Sequence, residues 1–268
     1  MTQVYQAETR LEAWVQATKP LLDRDFMQDI ILHVDSPSKN HDLEDEVHSE
    51  LEENYKEANM DPINTIAETI FPAWLYNEKG GSIEDVYDEY LDQLDIILSR
   101  SRGYNWGTYF ERMIECKDPE TGGTFNPLQK TIEKLERANG PEGHPYKACY
   151  EINLHRFASD IAVYDGHKDG NRPMNLPCLS HLSFKLFDGE IHLTVLYRSH
   201  EYRFKVPGNL LGLARLQSCV AREINADIGP LVVHSSKAYI NDEPPKGPFR
   251  KVVENTSDRM DHHSLDDF

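Results

Sequence analysis

The chain has 268 residues, a formal net charge of −18 at pH 7 and 39% hydrophobic residues. The negative charge repels a phosphate backbone, so no nucleic-acid partner is expected. No run approaches the roughly 20 apolar residues that cross a bilayer, so no membrane partner is expected either.

The length fits one large domain. We expect a single domain over residues 1–268, with an acidic insert near 35–61 and a flexible tail over 242–268. The amino-terminal residues include Glu8 and lack an apolar run, which argues against a secretory signal. We therefore expect a cytoplasmic protein.

In chain order, residues 1–36 are predicted as a helix interrupted at Pro20. The stretch 35–61 is almost free of large apolar residues and rich in carboxylates, which is typical of an exposed helix or a mobile insert. Two amphipathic helices are predicted next, over 62–77 and 83–97.

A further helix is predicted over 126–138, where Asn126 is a plausible cap and Pro127 occupies the first helical position. After residue 145 the pattern changes to short runs rich in β-branched and aromatic residues, at 146–155, 179–187, 190–199 and 230–240. Asp188-Gly189 predicts a hairpin, and a helix over 209–224 precedes the last strand. This order predicts an α+β fold, a largely antiparallel mixed sheet packed by helices.

The four cysteines are Cys116, Cys149, Cys178 and Cys219, and no two of them have C-x-x-C spacing. Disulfide and metal frameworks are therefore not expected. A free cysteine is most often a small buried apolar residue, so any reactive role must be argued from its neighbours.

Cys178 has such neighbours. Pro177-Cys178 opens a predicted strand, and Tyr197-Arg198-Ser199, Glu201 and Pro207-Gly208-Asn209 follow in order. Arg198 lies 20 residues and Asn209 lies 31 residues beyond the cysteine.

This ordered set resembles the thymidylate synthase and pyrimidine nucleotide hydroxymethylase family, of which the chain resembles a divergent member. In that family a Pro-Cys nucleophile precedes a Tyr/Gln-Arg-Ser-x-Asp segment and a Pro-x-Asn helix start at the same separations. Ile66-Ala67-Glu68 resembles the family's early Glu-bearing helix, and Gly107 to Arg112 resembles its Gly-x-Tyr-x-x-Arg segment. The resemblance covers roughly residues 62–241 and implies a thymidylate-synthase-like fold and a homodimer.

The resemblance implies a catalytic set of Cys178, Glu68 and Tyr109. The Cys178 thiolate would add to C6 of a pyrimidine, because a thiolate is strongly nucleophilic and leaves again at the end. Glu68 would move protons at O4 and C5. The C5 position would then receive a one-carbon unit from 5,10-methylenetetrahydrofolate.

The resemblance also implies contacts to a nucleotide of the dUMP or UMP type. Asn209 would pair with the uracil edge through its amide, since an amide offers both a donor and an acceptor. The arginine would hold the phosphate with its planar fork. The implied substrate-binding set is Arg198, Ser199, Asn209, Lys237, Tyr239 and Lys147, and Glu201 is implied to touch the pterin of the folate.

Several positions depart from the family. Leu179 replaces the histidine that follows the nucleophile, Tyr146-Lys147 replaces a pair of arginines from the second subunit, and Glu201 and Lys237 replace an Asp and a His. The histidines have no matched partners in the sequence, and no metal is expected.

The primary hypothesis is a folate-dependent transferase that methylates or hydroxymethylates C5 of a pyrimidine nucleotide. A cytidylate hydroxymethylase and a non-catalytic nucleotide-binding protein of the same fold are alternatives. A structural component of a larger acidic assembly is a third possibility.

Overall fold

The computed structural model of the chain describes residues 2–100, 107–118, 121–144, 148–154 and 177–266. The strands in these ranges are β1 (Gln3–Ala7), β2 (Met27–Val34), β3 (Cys116–Lys117), β4 (Thr124–Phe125), β5 (Glu151–Asn153), β6 (Leu179–Phe187), β7 (Glu190–Tyr197), β8 (His200–Glu201) and β9 (Asp227–Tyr239). The helices are α1 (Arg10–Leu21), α2 (Glu44–Glu57), α3 (Ile63–Glu68), α4 (Ala73–Glu78), α5 (Glu84–Asp92), α6 (Leu94–Arg100), α7 (Tyr109–Ile114), α8 (Pro127–Asn139), α9 (Val206–Glu223) and α10 (Gly247–Asp266).

The central sheet has the order β1-β2-β9-β7-β6-β5, with β8 beside β9. Strands β2/β9, β5/β6 and β6/β7 pair antiparallel, and β1/β2, β7/β9 and β8/β9 pair parallel. One face is buried, as the alternation in β6 shows, where Leu182, Phe184 and Leu186 point inward. The predicted α+β class with a mixed sheet packed by helices is confirmed.

The hairpin between β6 and β7 is also confirmed. Asp188 and Gly189 both have positive φ, at 50° and 87°, as a tight two-residue hairpin turn requires. Helix α8 begins as predicted, because the Asn126 side chain accepts from the Gln129 N–H and Pro127 needs no hydrogen-bond partner there.

The helix predicted over residues 1–36 is wrong at both ends. The helical part is confined to α1, which begins with a reciprocal capping box between Thr9 and Glu12 and ends just after Pro20. Residues 27–34 form a strand in which Ile30, Leu32 and Val34 are buried in alternation. This segment becomes a strand because β1 and β9 pair with it on both sides.

The acidic stretch is anchored along one side. In α2, Val47, Leu51 and Tyr55 are buried at four-residue spacing, and the Tyr55 hydroxyl donates to the Arg203 carbonyl at 2.6 Å. The carboxylates on the other side are exposed. The alternative of an exposed helix is thus correct for one face of α2 only.

The prediction of a flexible tail is wrong for residues 247–266. Helix α10 buries Phe249, Val252, Val253 and Thr256. These residues follow the i, i+3, i+4, i+7 spacing of an amphipathic helix, which the abundant charged residues around them had masked. The Phe249 ring lies 6.1 Å from the Trp14 ring of α1, centroid to centroid, and joins the tail to the core.

Two glycines bring α9 against α3. A Cβ at Gly208 would lie 2.6 Å from the Ile63 carbonyl, and one at Gly212 would lie 2.6 Å from the Ala67 carbonyl. Any larger residue would push the helices apart. The first turns of α9, with Asn209, are therefore fixed next to the helix that ends at Glu68.

Candidate active site

Strand directions bring the predicted residues of the second half of the chain to one edge of the sheet. Strands β7, β8 and β9 run parallel, and β6 begins where β7 ends, with Leu179 opposite Tyr197. Glu201 lies opposite Tyr239 in the β8/β9 ladder. The carboxyl ends of parallel strands are a common place for ligand sites in sheets with crossover helices.

Cys178 is half-buried and directly precedes β6. The backbone N–H groups of Cys178 and Leu179 lie 3.3 and 3.4 Å from the Tyr109 hydroxyl oxygen, to which both donate. The Cys178 carbonyl accepts from the Arg198 N–H at 2.9 Å. The cysteine is thus held between the start of α7 and the end of β7, next to two of its predicted partners.

Burial and the neighbouring positive charges shift the pKa of the Cys178 thiol in opposite directions. Burial raises the pKa of Cys178, while the positive charges of Arg198 and Lys205 lower it. Burial is the larger influence, so the thiol is mostly protonated at neutral pH. A nucleophilic role requires that a ligand or a base shift this balance toward the thiolate.

Lys205 is a residue that the sequence pattern did not single out. It is the N-cap of α9, its backbone N–H donates to the Glu201 carbonyl at 3.3 Å, and its charge favours the Cys178 thiolate. The sequence did contain a signal for Lys205. It lies two residues before Pro207-Gly208-Asn209, and the start of that helix was already predicted to belong to the site.

The Arg198 guanidinium donates to the carbonyl of Pro177, the residue before Cys178. Its Nε atom is buried and makes no hydrogen bond within the described part of the chain. Ser199 follows in the turn between β7 and β8 and is half-buried. An arginine with an unsatisfied N–H beside a half-exposed serine can receive an anion.

Asn209 is buried and its side-chain Nδ2 lies 3.0 Å from Nε2 of His200. The other ring nitrogen of His200, Nδ1, lies 2.9 Å from the Ser235 hydroxyl. Burial lowers the pKa of His200 to about 3, so the ring is neutral. The predicted base-reading amide is therefore part of a buried polar network that the sequence did not reveal.

Glu68 is the last residue of α3 and lies 3.1 Å from the Arg215 guanidinium of α9, Oε1 to Nη1. Burial raises its pKa to about 7, against the opposing charge of Arg215. Its Oε2 atom is buried and makes no close hydrogen bond among the described residues, although the backbone N–H groups of Ala73 and Trp74 also favour the ionised carboxyl group. A carboxyl group with a pKa near neutrality can both give and take a proton.

Helix α7 connects this carboxyl group to the thiol. The Phe110 N–H donates at 2.8 Å to the carbonyl of Thr69, the residue after Glu68. The preceding residue, Tyr109, accepts from Cys178 and Leu179. The backbone N–H of Trp74, in α4, acts on the Glu68 carboxyl group, and the Trp74 side chain is 43% exposed and offers an aromatic face to solvent.

Glu201 is buried and its carboxylate is already occupied. It accepts backbone N–H groups from Arg203 at 3.1 Å, Phe204 at 2.5 Å and Asn241 at 3.0 Å. Burial raises its pKa, and these three N–H groups lower it. This geometry favours a structural role in joining the 201–204 turn to the end of β9, and the predicted pterin contact stays a prediction.

Lys237 and Tyr239 lie at the end of β9. The Lys237 ammonium is 5.4 Å from the centroid of the Phe26 ring and 5.6 Å from that of the Tyr239 ring. Burial raises the pKa of Tyr239, and the acidic groups of Glu201 and Cys178 add to the rise. Lys147 lies outside the described residues.

No cluster of three or more His, Cys, Asp or Glu side chains suited to a metal ion occurs in the described ranges. In the same ranges, none of the helices combines the length and the apolar character that crossing a bilayer demands.

The site is therefore that of a thiol-dependent enzyme candidate: a half-buried cysteine with two nearby cations, a tyrosine against its backbone, and a carboxyl group with a pKa near 7. This combination suits nucleophilic addition followed by proton transfer.

Comparison with known sequences finds partial relatives. The chain is similar to proteins named "Putative thymidylate synthase" from Methanosarcina barkeri (40% identical over 67 residues), Methanosarcina acetivorans (37% over 67) and Methanothermobacter thermautotrophicus (37% over 65). These matches cover 24–25% of this chain and 29–31% of the relatives, so the chain spans less than a third of their length in similarity.

The chain matches no protein-family model. Among solved structures it is similar to thymidylate synthase A from Bacillus subtilis, with a TM-score of 0.48, 13% identity, and coverage of 86% of this chain and 79% of that one.

Proposed function

We propose that the chain is a folate-dependent one-carbon transferase that acts on C5 of a pyrimidine nucleotide, of the uridylate type, through a covalent bond between Cys178 and C6. The observation that carries the proposal is the setting of Cys178. It lies at the sheet edge between Tyr109 and Arg198, and a second cation, Lys205, favours its thiolate.

The chemistry begins when the Cys178 thiol loses its proton and its sulfur forms a bond to C6. The electron pair of the C5–C6 double bond moves toward C5 and O4, which makes C5 a nucleophile. C5 then bonds to the one-carbon unit, and as C5 loses its proton, the bond from the new carbon to the folate nitrogen would break. A hydride from the reduced folate (methylation) or a water (hydroxymethylation) would then add to the exocyclic carbon. The C6–sulfur bond breaks last, which restores the C5–C6 double bond and frees the Cys178 thiolate. Glu68, with a pKa of about 7, is suited to holding the proton at O4 and to accepting the one from C5.

The remaining residues have binding roles in this proposal. Arg198 and Ser199 hold the phosphate, with Lys237 as a further cation at the edge of the site. Tyr239 contacts the sugar, and Asn209 pairs with the base. Lys147 keeps its proposed phosphate contact on the basis of the sequence resemblance alone.

Folate, as 5,10-methylenetetrahydrofolate, would supply the one-carbon unit. The Glu201 carboxylate does not fit a pterin contact well, because three backbone N–H groups already occupy it. The exposed face of Trp74, near Glu68, is a better-suited apolar surface for a flat heterocycle. Product identity, methyl or hydroxymethyl, depends on what reaches the exocyclic carbon next.

A 5-fluoropyrimidine nucleotide tests the covalent step, since fluorine at C5 cannot leave as a proton does. Incubation with 5-fluoro-dUMP and methylenetetrahydrofolate should add the masses of both to the wild-type chain, and peptide mapping should place them on Cys178. Cys178→Ser should show no adduct. Cys149→Ser, at another half-buried cysteine, is the matched control and should react like the wild type.

Tritium release from C5-labelled dUMP, UMP, dCMP and CMP then identifies the substrate, and product mass separates methylation from hydroxymethylation. If a folded, reduced protein releases tritium from none of the four, the transferase proposal fails.

A non-catalytic nucleotide-binding protein is the second candidate, and the raised pKa of Cys178 is the observation that favours it. This alternative predicts that Cys178→Ala binds nucleotide as tightly as the wild type and that no fluoropyrimidine adduct forms.

We also propose a homodimer, on the basis of the family resemblance. Light scattering after size exclusion should give twice the chain mass of 30.9 kDa. A monomeric mass at micromolar concentration would contradict it.

A further inference from the structure

His200, Asn209 and Ser235 form a continuous polar network inside the protein. Their exposed fractions are 1%, 4% and 0%. Asn209 Nδ2 lies 3.0 Å from His200 Nε2, and His200 Nδ1 lies 2.9 Å from the Ser235 hydroxyl oxygen. The network ends at the Tyr202 hydroxyl, 3.2 Å from that of Ser235.

The imidazole is held firmly in place. It stacks on the Tyr197 ring with centroids 3.8 Å apart and an interplanar angle of 3°. Burial lowers the pKa of His200 to about 3, so it carries one proton at any physiological pH. When that proton is on Nδ1 and is donated to Ser235, Nε2 is an acceptor and the Asn209 amide N–H is its donor.

This contact restricts the amide of Asn209 to one orientation. A reversed amide would place Oδ1 against Nε2, two acceptors about 3 Å apart, unless the imidazole changed its tautomer. In the observed orientation, no group in the described part of the chain donates to Oδ1. The oxygen and the second N–H of the amide are therefore available to a ligand.

Amide orientation matters for a pyrimidine that is bonded at C6. Uracil presents an N3–H donor and an O4 acceptor, whereas cytosine presents an N3 acceptor and an N4–H donor. Once C6 is fixed at Cys178, the ring cannot turn over, so only an amide reversal could accommodate the other base. This step rests on the proposed function.

We propose that His200 is a positioning residue that fixes the amide of Asn209 and thereby restricts the site to uracil nucleotides over cytosine nucleotides. Its partner Ser235 holds the imidazole in the tautomer that this requires. The role differs from that of Asn209 itself, because His200 acts through the amide and does not touch the base.

The dissociation constants of dUMP and dCMP, measured by calorimetry, test the proposal. Wild type should favour dUMP by about a hundredfold or more, since a fixed amide leaves mismatched polar groups against cytosine. His200→Phe keeps the stack on Tyr197 but removes both ring nitrogens, and the preference should fall below about tenfold. His234→Phe is the matched control. His234 precedes Ser235 in β9, so its side chain lies on the opposite face of the sheet, where it is 3.1 Å from Asp29, and the variant should keep the wild-type preference.

Ser235→Ala provides a second variant that leaves the imidazole in place. It removes the acceptor for Nδ1–H, frees the tautomer and should reduce the preference by about tenfold, which a merely structural role would not do. Thermal melts establish that each variant is folded at the temperature of the measurement.

A preference unchanged within threefold in folded His200→Phe and Ser235→Ala overturns the proposal and leaves the nucleotide site intact. A wild-type preference for dCMP overturns it as well. If wild type binds neither nucleotide and forms no fluoropyrimidine adduct, the proposed function fails, and the role of His200 fails with it.

Discussion

Replacing Glu68 by Gln should stabilise the protein at alkaline pH while impairing its proposed reaction. Glu68 is largely buried, one of its oxygens makes no close hydrogen bond among the described residues, and its ion pair with Arg215 offsets only part of the cost of burial. Glutamine has the same shape as the protonated acid and carries no charge to desolvate. The substitution therefore removes the unfavourable ionised state.

The size and sign of the effect follow from the pKa. Burial raises the pKa of Glu68 from 4.5 to about 7, so its contribution to stability is fully present below 4.5 and is lost as the pH rises through 7. At about 1.4 kcal/mol per pKa unit the full rise would correspond to roughly 3 kcal/mol. Because the side chain is partly solvated, we discount this to about 2 kcal/mol at pH 8.5.

Urea unfolding of wild type and Glu68→Gln at half-unit steps from pH 4.5 to 8.5 measures this difference directly. The two free energies of unfolding should converge below pH 5 and differ by about 2 kcal/mol, in favour of Glu68→Gln, above pH 8. Glu57→Gln, at an exposed carboxylate at the end of α2, is the control and should show no pH-dependent gap. A gap for Glu68→Gln that is flat with pH, or that favours the wild type at pH 8.5, would refute the reasoning.

Three further predictions concern the frame of the site. Lys205→Gln should slow iodoacetamide alkylation of Cys178 at pH 8 by at least about threefold, because it removes a positive charge that favours the thiolate. An unchanged rate would contradict a role of Lys205 in lowering the pKa of the thiol. Gly208→Ala should lower the free energy of unfolding in urea by roughly 1–3 kcal/mol, since its Cβ would lie 2.6 Å from the α3 backbone. Gly247→Ala is the control in the same assay, because a Cβ there would have no atom within 4 Å. Glu201→Ala should lower the free energy of unfolding in urea by at least about 2 kcal/mol, because three backbone N–H groups lose their acceptor. A loss of folate binding without a loss of stability would favour the pterin contact instead.

The hairpin of β6 and β7 could be predicted well from the sequence, and the reason is local. Strand β6, the Asp188-Gly189 turn and β7 carry period-two burial joined by a residue pair suited to positive φ. Strand β2 could not be separated from α1 in this way. Its apolar residues are nearly continuous, and they become a strand because β9 and β1 supply partners on both sides, a long-range effect that no local pattern contains.

The candidate site shows a similar division. Cys178, Arg198 and Asn209 could be proposed from the sequence because a recognisable order and spacing carries them, and in the structure the Arg198 backbone N–H donates to the Cys178 carbonyl. His200 was not, since a lone histidine within a strand has no sequence partner. Its role depends on Ser235, 35 residues away, which reaches it only because β8 and β9 lie side by side.

Charge balance at the thiol connects these observations. A nucleotide phosphate bound to Arg198 would offset the positive charge that favours the Cys178 thiolate, at the moment when that thiolate is needed. A site with one cation would therefore set substrate binding against nucleophile activation. Lys205 removes the conflict, because it lies at the start of α9 and lowers the pKa of the thiol independently of Arg198. Tyr146-Lys147 stand where the resembled family has paired arginines, so in the proposed reaction a second cation near the sulfur would allow Arg198 to hold the phosphate while Cys178 still reacts.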